Sequence, residues 1–190
     1  MRILFTGLNG LIGSHLASLI GHNCSSGLSI SSFVRSKSFS NHTISSRSIS
    51  DDFYYGSCES IRDLSSAISQ SRPDLIVHIA QHRYTSNLLE AISNSGHTCS
   101  LLVVGTTGVF STFTACSSPY LKGEQLLIDS GLDFCLIRTT MIYGSRLNKN
   151  MHKLYERVVS GKFVLLPDNG VSKFQPVFFK DISTALFLLL

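Results

Sequence analysis

Met1-Arg-Ile-Leu-Phe-Thr-Gly-Leu-Asn-Gly-Leu-Ile-Gly13 opens the chain, and its reading decides the fold. Arg2 to Thr6 reads as a short buried strand. Gly7, Gly10 and Gly13 then punctuate a turn that leads into a helix from about Leu11 to Ile20. Gly7 suits the tight turn after the strand. Gly10 lets backbone approach a diphosphate with no Cβ in the way, and Gly13 lets the helix pack close to the sheet. A helix N-terminus adds free N–H groups and a partial positive charge, which favour phosphate. The loop Gly7, Leu8, Asn9, Gly10, Leu11, Ile12, Gly13 is therefore expected to hold a dinucleotide. Its spacing is G-x-x-G-x-x-G, not the general G-x-G-x-x-G, so position carries the reading: after an apolar strand and before an amphipathic helix.

Working outward, the 190 residues fit one domain with a real core. A hydrophobic share of 43% against 15% charged argues for a folded globular chain and against disorder. The net charge of +4 comes from scattered Lys and Arg, which suggests no nucleic-acid surface. Cys24, Cys58, Cys99, Cys116 and Cys135 are odd in number and lack any C-x-x-C spacing. Neither a disulfide framework nor a zinc site is indicated, and no metal is expected. The first apolar run is the opening strand rather than a signal peptide, and none approaches the ~20 residues that span a bilayer. A cytoplasmic protein without a membrane partner is expected.

Leu28 to Val34 is expected as a second strand, with Ser38 to Ser50 a polar loop and Asp52 to Tyr55 a third strand. Ile61, Leu64, Ala67 and Ile68 have helical spacing within Ser60 to Ser69, and Pro73 ends that helix. Asp74-Leu-Ile-Val-His-Ile-Ala80 is a continuous apolar run, as in a parallel strand covered on both faces. Tyr84 to Ser95 reads as a helix and Cys99 to Val104 as a strand. Ser117 or Ser118 can cap the next helix with Pro119 near its first position, and Gly131 ends it. Asp133 to Thr139 is a further strand. Met151 to Ser160 reads as a helix, Phe163 to Leu166 as a short strand, Pro167 to Gly170 as a turn, and Asp181 to Leu190 as the last helix. Strands alternating with helices indicate an α/β fold with a doubly wound parallel sheet.

Five blocks resemble the extended and atypical short-chain dehydrogenase/reductase superfamily, in particular its NAD-dependent epimerase/dehydratase group. They are the glycine turn; Asp74-Leu-Ile-Val-His-Ile-Ala-Gln81; Val103-Val-Gly-Thr-Thr-Gly-Val-Phe110, similar to V-S-S-T-x-V-Y; Ser130-Gly-Leu-Asp-Phe-Cys-Leu-Ile-Arg-Thr-Thr-Met-Ile-Tyr-Gly144, similar to S-G-L-D-x-T-I-L-R-P-T-M-I-Y-G; and Lys173-Phe-Gln-Pro-Val-Phe-Phe-Lys-Asp-Ile182. The resemblance implies a single Rossmann-like NAD(P)-binding domain over residues 1–190. Residues 145–190 would begin a substrate lobe that is incomplete here, as in a truncated product, a fragment or a minimal member. It implies a homodimer paired through two helices as one arrangement.

The resemblance also implies site residues. Ala80 and Gln81 end the fourth-strand block beside the cofactor, and Thr139 follows a strand's carboxyl end. A ribose-binding acid normally lies about 20 residues past the glycines. Arg35 stands in that place, with Lys37 behind it, and a guanidinium can pair with a 2′-phosphate. NADP is therefore expected over NAD. Ser57 replaces the Asp that usually touches adenine. His82, Thr140 and Gln175 are expected at the substrate. His78, Phe110 and Tyr143 are expected in the core, and Phe178 stands where relatives often carry His.

Family chemistry is hydride transfer assisted by a tyrosine, a lysine four residues on, and a Ser or Thr on the reacting oxygen. Thr106 matches the Ser/Thr position. Tyr120 and Lys122 are the candidate couple, but two residues apart on a helix they point to different faces. Aligning instead on Glu124-Gln-Leu-Leu127 puts Cys116 at the tyrosine and Tyr120 at the lysine. Either the helix starts a turn late and Tyr120 still reaches the nicotinamide, or the acid/base pair is absent.

Two functions follow from these readings. One is a nucleotide-sugar epimerase, dehydratase or reductase of surface-polysaccharide synthesis. The other is a catalytically silent NAD(P)H-binding protein acting as carrier, sensor or assembly factor.

Overall fold

A computed structural model describes residues 1–23, 27–35, 49–111, 114–146, 149–165, 167–171 and 173–190, with backbone only at 114–117, 149–150 and 167–168. Lys37, Cys24, the Cys116 side chain, Leu166 and most of the expected 38–50 loop lie outside the described residues.

The opening stretch forms β1 (Arg2–Thr6) and α1 (Leu11–Asn23). There follow β2 (Ser29–Val34), β3 (Asp52–Tyr55), α2 (Ile61–Ser71), β4 (Leu75–His78), α3 (Thr85–Ser95), β5 (Ser100–Thr106), α4 (Thr114–Asp129) and β6 (Phe134–Thr139). The six strands make one sheet in the order β3-β2-β1-β4-β5-β6, and every pair is parallel. The order reverses direction between β1 and β4, and a doubly wound sheet opens a crevice at that switch point. Thr6 is in register with His78, and Thr106 with Thr139, so these carboxyl ends line up along one edge.

Side chains alternate across the sheet. Ile3 and Phe5 face α1 and α6 (Phe179–Leu188), packing with Leu16, Ile20, Ile182 and Leu186. Leu4 faces the opposite way, with Leu64, Ile68, Leu88, Ile92 and Leu127 of α2, α3 and α4. Each central strand is covered on both faces, which is why β1, β4 and β5 read as unbroken apolar runs.

Local signals set the helix ends. Ser60 accepts the Asp63 N–H at 3.2 Å and caps α2, whose last turn closes on Arg72 at φ 43°. Gly96 at φ 63° and Gly131 at φ 67° follow α3 and α4.

The chain then leaves the main sheet. β7 (Ile142–Tyr143) pairs in parallel with β8 (Val177–Phe178), and α5 (Lys149–Val159) lies between them in sequence. Three expectations are corrected here. Pro119 lies inside α4, which begins at Thr114 rather than beside Pro119. Residues 162–165 form no strand, because Phe163 and Leu165 stand exposed with no strand paired to them among the described residues. Phe110 is 72% exposed rather than core, and Tyr143 is exposed as well, leaning on Phe178. No described helix is long and apolar enough to cross a membrane.

Candidate functional site

The glycine turn is built by close approach. Gly7 takes φ +82°, and a Cβ there would lie 2.6 Å from the Ala80 nitrogen. The Gly10 N–H donates to the Gly7 carbonyl at 2.9 Å and closes the turn. A Cβ on Gly13 would sit 2.5 Å from both Gly7 O and Leu8 Cα. Gly13 therefore makes room for the turn itself, not for the strand. Leu8 and Ile12 point into the core and anchor the loop, whereas Gly7, Asn9 and Gly10 wall a hollow. Leu11 begins α1 on a half-buried side.

Two hollows run along the carboxyl edge of the sheet. The first, about 770 Å³, is bounded by the glycine turn, the end of β2 with Arg35, residues Gly56 to Glu59 after β3, and Arg83–Tyr84. The second, about 640 Å³, is bounded by Ile12, His82, Thr106, Tyr120, and Thr139 to Ile142. Ile79, Ala80 and Gln81 line both, so the two meet over the end of β4. The result is one trough with a helix N-terminus near its middle. Two nucleotide halves can lie along such a trough with their diphosphate at the turn. The free N–H groups at the start of α1 and the absence of Cβ atoms at Gly7 and Gly10 fit that group.

Thr106 ends β5 and its hydroxyl oxygen accepts the Gly108 N–H at 3.0 Å, capping a short 3-10 turn over Thr107–Phe110. Thr139 is buried and its hydroxyl donates to the Gly105 carbonyl at 3.0 Å. Thr140 donates to the main-chain carbonyl of Gln175 at 2.5 Å, which joins two of the expected substrate-side residues.

Tyr120 faces the second hollow, but Lys122 does not. Lys122 lines a separate hollow between α3 and α4, beside Glu90 and Asp129. With α4 starting at Thr114, Tyr120 stands in its second turn. Glu124 follows Tyr120 by one turn on the same side.

His82 stacks on Tyr120 with ring centroids 5.9 Å apart and planes 15° from parallel. Its Nδ1 lies 3.0 Å from Thr85 Oγ1, and its Nε2 lies 3.5 Å from Glu124 Oε1. Both nitrogens turn inward, so the ring presents only its face towards Tyr120 and the hollow. Burial pushes the imidazole below its usual value, with the Glu124 carboxylate opposing that shift. Glu124 is itself buried and accepts Arg138 in a two-pronged pair, Nε at 3.0 and 3.1 Å and Nη2 at 2.7 Å. The Arg138 guanidinium also stands 5.6 Å above the exposed Phe110 ring. Gly105 leaves the space for this cluster: a Cβ there would touch Leu136 and approach Glu124 and His82. His78, by contrast, is fully buried. Its Nδ1 is bonded to Thr6 Oγ1 at 2.7 Å, and burial pushes its pKa down to about 3.

Sequence reasoning passed over Glu124 except as an alignment marker, passed over Glu59 and Arg83 altogether, and took Tyr84 only as the start of a helix. Glu124 carries one signal, a single acid amid the apolar positions of a helix. The other three sit in turns and carry none.

The family model described as "NAD dependent epimerase/dehydratase family" matches residues 3–190. No curated protein matches the chain. Solved structures do. The enzyme WbmH of Bordetella bronchiseptica, in complex with NAD+, is 19% identical with a TM-score of 0.73, over 97% of this chain and 70% of that one. The UDP-glucose 4-epimerase of Thermus thermophilus, complexed with NAD, is 19% identical with a TM-score of 0.69, over 100% and 74%. The UDP-Glc/GlcNAc 4-epimerase of Campylobacter jejuni is 16% identical with a TM-score of 0.70, over 98% and 73%. At such identities the likeness speaks for the fold.

Proposed function

Because the chain belongs to the NAD dependent epimerase/dehydratase family, we propose that its trough binds a nicotinamide dinucleotide and that it acts on a nucleotide sugar as an epimerase, dehydratase or reductase. The observation that carries this is the continuous trough with the glycine turn and the start of α1 at its middle. When bound, such a cofactor supplies a hydride acceptor or donor. Gly7, Asn9 and Gly10 would hold the diphosphate, Arg35 the adenosine ribose, and Ala80, Gln81 and Thr139 the walls around the nicotinamide half. Tyr120 and Thr106 would face the reacting oxygen. His82, Thr140 and Gln175 would shape the sugar side, and residues 145–190 would begin the substrate lobe. We propose NADP over NAD, since Arg35 lines the first hollow at the end of β2, where its guanidinium can pair with a 2′-phosphate. Solved relatives complexed with NAD make NAD the standing alternative. The proposed setting is the cytoplasm, in surface-polysaccharide synthesis, as a homodimer.

A second reading is a binding protein without turnover, acting as carrier, sensor or assembly factor. It is favoured by Lys122, which lines a different hollow from Tyr120. Calorimetric titration with NADP and NAD, followed by NMR of UDP-sugars incubated with the saturated protein, separates the readings. Cofactor binding with a changed sugar supports the enzyme, and binding without turnover supports the carrier. Tighter NAD than NADP binding would reject the NADP preference alone.

A further inference from the structure

His82 and Tyr120 are the two titratable side chains among the described residues lining the second hollow. They come from different elements, His82 from the 3-10 turn after β4 and Tyr120 from α4. With centroids 5.9 Å apart and planes 15° from parallel, the imidazole makes a stacked wall for the phenol ring. The turn capped by Thr106 closes in as well, since a Cβ on Gly108 would lie 3.7 Å from Tyr120 Cδ2. Lys122 gives Tyr120 no support, because it lines the hollow between α3 and α4.

A wall can orient a neighbour only if it is itself fixed, and His82 is. Its Nδ1 lies 3.0 Å from Oγ1 of the fully buried Thr85, and its buried Nε2 lies 3.5 Å from Glu124 Oε1. Facing a carboxylate, Nε2 carries the proton, so Nδ1 accepts the Thr85 hydroxyl. Glu124 is held in turn by Arg138. Two glycines let these groups close in. A Cβ on Gly105 would lie 3.6 Å from His82 Cε1, and one on Gly123 would lie 3.3 Å from Thr85 Cβ. The imidazole therefore cannot swing, and neither nitrogen is offered to a ligand in the hollow.

We propose that His82 is a positioning residue. Stacked on Tyr120 and held by Thr85 and Glu124, it fixes the orientation of the phenol in the second hollow. It serves turnover through Tyr120 rather than by a hydrogen bond to the sugar. This rests on the reading of Tyr120 as the group facing the reacting oxygen.

Ring relaxation by 13C NMR of tyrosine-labelled protein reads the orientation without turnover, with the Tyr120 signal identified by its loss in Tyr120→Phe. The Tyr120 ring order parameter should fall in His82→Leu, which fills the space without a flat face. It should stay near wild type in His82→Phe, which restores the face. Thr85→Val keeps both rings and cuts one tie, so it should fall between, and it carries the comparison if His82→Leu does not fold. Kinetics with a UDP-sugar at saturating cofactor read the consequence. His82→Leu should lower kcat by about tenfold with KM within about twofold of wild type. Added to Tyr120→Phe, it should lower kcat by less than about twofold further, since no hydroxyl is left to misplace. An unchanged order parameter, a change in KM alone, or full additivity in the double variant would overturn the proposal. Absence of turnover in the wild type would remove the enzyme reading instead, and the relaxation data would then decide alone whether His82 fixes Tyr120.

Discussion

Arg138 at the end of β6 clamps the buried carboxylate of Glu124 on α4 with two nitrogens, at 2.7 to 3.1 Å. The arginine is part-exposed and can be solvated without its partner, but the glutamate, at 7% side-chain exposure, cannot. Removing the cation therefore costs more than removing the anion. Arg138→Met is expected to lose about 2–3 kcal/mol, and Glu124→Gln about 1–2 kcal/mol. Urea unfolding of both variants at pH 7 checks the order. A larger loss in Glu124→Gln would contradict it.

His78 makes stability depend on acid in a predictable direction. Its folded pKa lies near 3, against 6.5 for an ordinary imidazole, first because of burial and then because of the nearby His82. Below pH 6.5 the unfolded chain binds a proton that the folded chain refuses. Stability therefore falls with acidification through pH 6.5 and goes on falling to about pH 3, at about 1.4 kcal/mol per pH unit from this site. His15 and His82 are also lowered by burial and act in the same direction. His78→Asn keeps an acceptor for Thr6 and should flatten the slope. A slope as steep as wild type in unfolding curves between pH 6.5 and 4 would remove His78 as its source.

Gly13 has no room for a methyl group, with two backbone atoms 2.5 Å from the site of its Cβ. Backbone cannot rotate away as a side-chain tip can. Gly13→Ala should cost about 1–3 kcal/mol. Because the strain falls on the turn proposed to hold the diphosphate, dinucleotide affinity should drop at least tenfold. Thermal unfolding with and without NADP reads both effects, and a variant melting with the wild type and binding like it would refute the close-packed turn.

Tyr120 and Lys122 lie on different faces of α4, so their removal should not look alike. If the protein turns over a UDP-sugar, Tyr120→Phe should lower kcat by about 100-fold, in line with loss of a positioned acid/base. Lys122→Ala should stay within about twofold of wild type, because it lines the hollow between α3 and α4. Equal losses from the two variants would show that they act as a couple despite their separation.

How much of this was legible in the chain depends on the range over which each feature is decided. The glycine turn is local: φ +82° at Gly7 and the crowding at Gly13 are fixed within thirteen residues, and the spelling shows them. β1, β4 and β5 announce themselves because burial on both faces leaves no polar alternation. The start of α4 misled for a physical reason. A proline usually marks a first turn, yet Pro119 is carried inside a helix that had already begun at Thr114. Phe110 looked like core because an aromatic ring usually is, and nothing in its neighbours tells of the Arg138 guanidinium above it. The array of His82, Glu124 and Arg138 converges from a turn, a helix and a strand, and the β7–β8 pairing joins segments some 35 residues apart. No window along the sequence contains either.

Ile142–Tyr143 and Val177–Phe178 lie side by side, and Thr140 is bonded to Gln175 just beneath them. The polypeptide thus departs and returns at one point, and the described residues from Gly144 to Pro176 form an excursion between the two short strands. None of its described residues belongs to a strand of the main sheet. A substitution in that stretch therefore alters no residue of the six-stranded sheet, and one in the glycine turn alters none of the insertion.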